Sequence, residues 1–208
     1  KIEHTHADAL RSAGLLDEIT SAGRRYEGIW IARQGRLVEF RPMVEYGIDY
    51  AALVNRIREL SPPGVAFLKD KVTGVQLDPR RQTVQLASGE QVAARLVIAA
   101  TGLNPSLLEV LGLKRRVISP RHSMSIGFDV APEGRTRFDL DALTYFGEDP
   151  VQRVAYLTLF PLGSHMRANL FVYREMTDPW LKEFRQDPVA TMFASMPHLQ
   201  ALTGDFKV

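Results

Sequence analysis

A chain of 208 residues, 45% hydrophobic and 24% charged, is long enough for one large domain or two small ones around a real hydrophobic core. Its 26 Lys and Arg stand against 24 Asp and Glu, a net charge of +2 scattered along the chain, which argues against a nucleic-acid partner. The absence of cysteine excludes disulfides and thiolate chemistry, no apolar run approaches the ~18 residues of a membrane span, and the expected location is the cytoplasm.

In chain order, residues 6–22 read as two short helical pieces separated at Gly14 and stopped at Gly23. The period then changes to two. Tyr26 to Ala32 and Arg36 to Phe40 flank Gln34-Gly35 as a hairpin that Arg41-Pro42 is expected to end. Asp49 is placed to cap a helix from Tyr50 to Leu60, with Leu53, Ile57 and Leu60 on one face, and Ser61-Pro62-Pro63 stops it. Three short strands are predicted next, at Val65–Lys69, Lys71–Asp78 and Thr83–Leu86.

The run Leu96 to Ala100 reads as a strand buried on both faces, inside a parallel sheet. Thr101-Gly102 breaks it, Asn104 caps a helix that begins at Pro105, and Gly112 stops that helix. A buried strand, a glycine turn and a helix N-terminus together suit an anionic or dinucleotide ligand.

Beyond residue 115 the pattern becomes antiparallel. Ser123 to Val130 alternates, with Met124, Ile126, Phe128 and Val130 on one side and Ser125, Gly127 and Asp129 on the other. Ala142–Phe146 is a shorter strand, and Val154–Phe160 and Arg167–Tyr173 form a hairpin around Pro161-Leu162-Gly163-Ser164. Asp178-Pro179 and Asp187-Pro188 each give an N-cap followed by Pro at the first helical position, and Thr203–Val208 is a last strand. The expected class is mixed α/β, divided near residue 115.

These pieces, in this order, resemble the flavoprotein monooxygenases of the para-hydroxybenzoate hydroxylase type. The resemblance rests on Ala9-Leu10-Arg11-Ser12-Ala13-Gly14-Leu15-Leu16-Asp17, the Asp49–Leu60 helix, Lys71-Val72-Thr73-Gly74-Val75, Ser88-Gly89-Glu90, Leu96 through Gly102, and Tyr156 through Pro161 with the Asp178-Pro179-Trp180 helix. It implies a partial FAD-binding domain over residues 1–115, Rossmann-like in part, and an antiparallel substrate domain with covering helices over 116–208. It implies FAD as cofactor, NAD(P)H as reductant, O2 as co-substrate and a small organic substrate.

By the same resemblance, Val72, Thr101, Gly102 and Leu103 face the cofactor. Tyr156, Phe160, Pro161, Met166, His165 and Arg167 are candidates for the substrate pocket, the last two to orient a carboxylate or phenolate. No side chain is named as a catalytic acid or base. The family's Gly-x-Gly-x-x-Gly is missing, since no two glycines stand two residues apart, and Gly204-Asp205 matches only two letters of its closing motif. The remaining FAD-binding segments are therefore expected outside these residues, and these residues alone are expected to bind FAD weakly and to be inactive. A halogenase or reductase on the same scaffold, or a non-catalytic α+β binding module, are the alternatives. His4 and His6 lie two apart, but His122, His165 and His198 are isolated with no carboxylate at ligand spacing, and no metal is expected. Glu148-Asp149 reads as a solvated turn.

Overall fold

The computed structural model describes every residue except Ala22, Leu103 and Arg121, and the side chain of His4 is likewise outside the description. Residues 1–61 and 121–208 form one unit and residues 62–120 another. By compactness, then, the first sixty residues group with the C-terminal part rather than with the segment that follows them, whereas a functional division was expected at residue 115.

In the first unit, α1 (His4–Ser12) and α2 (Leu16–Thr20) lead into β1 (Gly23–Arg33), β2 (Arg36–Ile48) and α3 (Tyr50–Glu59). After the second unit come β6 (Met124–Pro132), β7 (Leu143–Phe146), β8 (Val154–Leu162) and β9 (His165–Val172). Helices α5 (Pro179–Gln186), α6 (Pro188–Ser195) and α7 (Gln200–Thr203) and the short β10 (Phe206–Lys207) complete it. The sheet runs β10-β6-β9-β8-β7-β1-β2, antiparallel throughout except that β1 and β7 are parallel.

Side chains alternate across this sheet, and one face carries the core. Leu157, Leu159, Met166, Ala168, Leu170 and Val172 on the central hairpin are buried against Trp180, Leu181, Phe184, Met192 and Met196 of the covering helices. The helices start where the Asp-Pro pairs predict. Asp178 accepts from the Trp180 amide at 3.0 Å, and Asp187 from the Ala190 amide at 3.0 Å, each with Pro in the first turn. Trp180 and Phe184 stack at 5.1 Å, and the Trp180 indole donates to Ser195 Oγ at 3.0 Å, so the buried N–H is satisfied.

Several expectations change here. β2 does not stop at Arg41-Pro42 but continues to Ile48. Among the described residues it is an edge strand, where a residue without an N–H interrupts no ladder, and a register shift between Tyr26 and Gly28 absorbs the change of course. The far end of β2 lies against β8: a Cβ on Gly47 would fall 1.7 Å from the Pro161 carbonyl oxygen, so only glycine fits that crossing. The turn between β8 and β9 is just Gly163-Ser164, with Pro161 and Leu162 inside the ladder. The terminal strand is confined to Phe206–Lys207, because residues 200–203 turn once as helix instead.

The second unit holds β3 (Val72–Gln76), β4 (Gln82–Leu86) and β5 (Gln91–Ala94), an antiparallel meander, and α4 (Pro105–Val110). Asn104 caps α4, accepting from the Ser106 amide at 3.0 Å. The two apolar runs on either side of the meander are not strands. Residues 65–69 and 96–100 are irregular, with Leu96 74% and Ile98 78% exposed. A strand buried on both faces needs a ladder partner and cover on each side, and among the described residues nothing pairs with 96–100. No helix of the described residues is long and apolar enough to cross a membrane.

Candidate functional site

The helix-free face of the large sheet gathers the polar and aromatic side chains that alternate with the core. Residues directly opposite in neighbouring strands share a face, so the register sorts them into rows. Phe160 stands opposite Arg167, which stands opposite Asp129. Thr158 faces Asn169 and then Gly127, while Phe146, Tyr156 and Phe171 run across β7, β8 and β9.

At one end of this face Arg167 Nη1 donates to Asp129 Oδ1 at 2.8 Å, and His165 Nε2 lies 3.7 Å from the second oxygen of the same carboxylate. All three are partly open to solvent. Gly127 provides the room: a Cβ there would stand 3.1 Å from Arg167 Nη2 and 3.3 Å from Asn169 Oδ1, so the guanidinium lies over a strand with no side chain beneath it. Beside His165 a void of about 20 Å³, bordered by Arg24, Arg137 and Asp141, has space for a water and not for an organic molecule.

Four residues along β8, roughly 13 Å by strand rise, the aromatic row takes over. Tyr156 stacks on Phe171 at 4.5 Å, Phe146 lies 6.1 Å from Tyr156, and the Arg33 guanidinium sits 3.9 Å over the Phe146 ring. The predicted substrate residues therefore separate. His165 and Arg167 meet around Asp129, and Tyr156 belongs to the other end. Met166 points to the core face and is buried. Phe160 is in register with Arg167 but covered, packed with Tyr26, Ala142 and Ile29.

Beneath Phe160 is a buried polar pair that spacing alone does not suggest. The Tyr26 hydroxyl donates to Glu45 Oε2 at 2.6 Å, and Lys1 Nζ reaches the same carboxylate at 2.9 Å. Burial, reinforced by the Glu45 carboxylate, pushes the Tyr26 phenol well above its ordinary range. A second cluster corrects the reading of Glu148 as solvated. Its side chain is 5% exposed and accepts from Tyr145 Oη at 2.5 Å and from the His198 amide at 2.9 Å, with His198 Nδ1 2.6 Å from its other oxygen. Tyr145 is raised too, by burial first and Glu148 second. Only Asp149 behaves as expected of the turn, accepting from the Val151 amide.

The predicted cofactor residues lie in the second unit. Val72 and Thr101 line an apolar cavity of about 350 Å³ with Leu77, Val84, Ile98 and Leu107. Gly102 adopts φ +58° and its carbonyl accepts from Arg115 Nη2 at 2.8 Å, while Leu103 lies outside the described residues. A flat apolar ring system suits such a wall. A pyrophosphate does not: α4 has six residues, Asn104 already occupies an amide of its first turn, and no glycine-rich motif precedes it. The residues present fit part of FAD and not its phosphate-binding part.

No protein-family model and no curated protein matches the chain. Solved structures do match. The p-nitrophenol 4-monooxygenase PnpA of Pseudomonas putida DLL-E4 aligns with 99% of this chain and 54% of its own, at 17% identity and a TM-score of 0.73. The fold is that of flavin-dependent monooxygenases and halogenases. The flavin-dependent brominase Bmp2 covers 100% of the chain and 54% of its own at 14% identity and TM-score 0.69, and a Klebsiella pneumoniae HpxO variant complexed with FAD covers 97% and 57% at 16% and 0.63. The chain thus spans about half the length of the structures it resembles. At these identities the likeness concerns the fold.

What the sequence missed on the open face is Asp129, Asn169, Phe171, Phe146 and Arg33. Asp129 was already visible on the polar side of an alternating strand. Its pairing with Arg167 depends on register between strands 38 residues apart, which no local pattern encodes.

Proposed function

We propose that these residues are the substrate-facing half of an FAD-dependent oxygenating enzyme, a monooxygenase acting on a small aromatic compound with NAD(P)H as reductant. The observation that carries the reading is the open sheet face, where an aromatic row and an ion-paired arginine share one surface on this fold. The flavin supplies electron transfer and dioxygen activation when bound; the chain's own residues bind and orient. Tyr156 and Phe171 offer π-surface at the other end of the face, roughly 13 Å from Arg167 by strand rise and too far for one small phenol to touch both. Arg167, held by Asp129, presents the guanidinium edge not used by Asp129 to a phenolate or carboxylate. Val72 and Thr101 contribute to the cofactor's apolar wall, Gly102 forms the turn that follows it, and the phosphate-binding segments lie outside these residues.

A halogenase is the second reading, favoured by the nearly equal likeness to the brominase Bmp2. The two separate in one assay on the full encoded polypeptide loaded with FAD. A monooxygenase oxidises NAD(P)H faster when small phenols are added, with no need for halide. A halogenase yields halogenated product only with halide present. Absence of both responses would overturn the proposal.

A further inference from the structure

The open edge of β2 is the strongest surface feature that the reading above does not use. Among the described residues β2 is the last strand of its sheet, and Arg36 to Pro42 are exposed in an unbroken run. The run carries Val38, 56% exposed, and Phe40, 43% exposed. The other end of the strand is covered, because Tyr46 exchanges both backbone bonds with Ile2, at 2.8 and 3.1 Å. An edge of this kind is a template for another strand unless something blocks it.

Its backbone direction can be read from its neighbour. The Trp30 amide donates to the Ala142 carbonyl at 3.0 Å, toward β7 and away from β2. Trp30 is paired with Phe40, so this pair is not hydrogen-bonded, and the N–H and C=O of Phe40 point out of the sheet. On the opposite face Glu39 and Arg41 flank Phe40 and hold each other bidentately, at 2.8 and 3.1 Å.

We propose that this edge is a self-association surface, on which a second copy of the chain adds antiparallel to β2 about a two-fold axis at Phe40. In that register Phe40 exchanges both backbone bonds with its counterpart, and Glu39 of each copy stands opposite Arg41 of the other. The two ion pairs already present join into a four-charge ladder, an isologous contact. Other two-fold registers fail on the same residues. Centring on Glu39 or Arg41 sets like charges opposite each other. Centring on Pro42 lacks the N–H the central exchange requires, and centring on Val38 leaves both charges unmatched; at Phe40 the missing Pro42 N–H falls only on the flanking rungs, where Pro42 stands opposite Val38. The contact is a single pair of strands, so association is concentration-dependent rather than obligate.

Charge reversal tests this directly by sedimentation across a wide concentration range, with circular dichroism to confirm that each variant keeps its fold. The wild-type mass should rise from monomer toward dimer. Glu39→Arg and Arg41→Glu, each alone, should weaken association by about tenfold or more. An equimolar mixture of the two single variants should associate again, since each then meets its opposite charge, and so should the double variant E39R/R41E. A wild-type chain that stays monomeric overturns the proposal. So does association that survives either single reversal, which would place the contact elsewhere, or a mixture that fails to recover it.

Discussion

Arg167 and Asp129 meet at 2.8 Å across neighbouring strands, directly over the missing side chain of Gly127. The arginine is thereby held flat on the open face instead of extending into solvent. Gly127→Ala places a methyl 3.1 Å from Nη2 and lifts the guanidinium. The displaced atom is the far end of a flexible side chain, so stability should change by less than about 1 kcal/mol. Affinity for an anionic aromatic ligand should fall, and calorimetric titration of the variant in the full encoded polypeptide checks both statements.

Of the six tyrosines, Tyr26 and Tyr145 should ionise last. A phenol whose folded pKa is raised adds stability that is complete below the unfolded value near 10 and is lost as pH rises beyond it. Alkaline unfolding should therefore begin above about pH 10 and coincide with late tyrosinate absorbance. Tyr26→Phe and Tyr145→Phe should each remove part of that late absorbance change.

Asp178 works in the opposite direction. Burial tends to raise its carboxyl, but the Trp180 amide and the Arg174 and Arg153 guanidinium groups outweigh this and hold it below the usual range. Its stabilisation is present above about pH 4 and fades as pH falls through the lowered value. Asp178→Ala should cost about 1–2 kcal/mol at neutral pH, and less in acid, by urea unfolding at two pH values.

Leu170 is fully buried at the centre of the sheet–helix core. Leu170→Ala should cost roughly 2–5 kcal/mol through lost transfer energy and a residual cavity. Thr158→Ala, on the half-exposed open face of the neighbouring strand, should cost under about 1 kcal/mol. Parallel urea titrations compare them.

The sequence carried the local structure well wherever a local rule decides it. Asp49, Asn104, Asp178 and Asp187 cap the helices expected of them, and the side of β6 that carries Met124, Ile126, Phe128 and Val130 is the one that packs on the core. It misled where the outcome depends on partners. Leu96 to Ala100 has the composition of an interior strand, yet without a neighbour to pair with among the described residues it stays irregular and exposed. Glu148 looked like a turn residue because its partners, Tyr145 and His198, come together only in the fold. The substrate candidates were identified by type and separated by register: Arg167 and His165 converge on Asp129, while Tyr156 joins Phe146 and Phe171.

The central claim is that this sheet face binds the compound that the flavin oxygenates. The most direct measurement gives the full encoded polypeptide FAD, NAD(P)H, a small phenol and isotopically labelled dioxygen, and follows the product by mass spectrometry. The account predicts one labelled oxygen atom in the product, and a raised KM for Arg167→Ala with flavin retention unchanged. Unlabelled product, or an Arg167→Ala enzyme with unaltered KM, would contradict it.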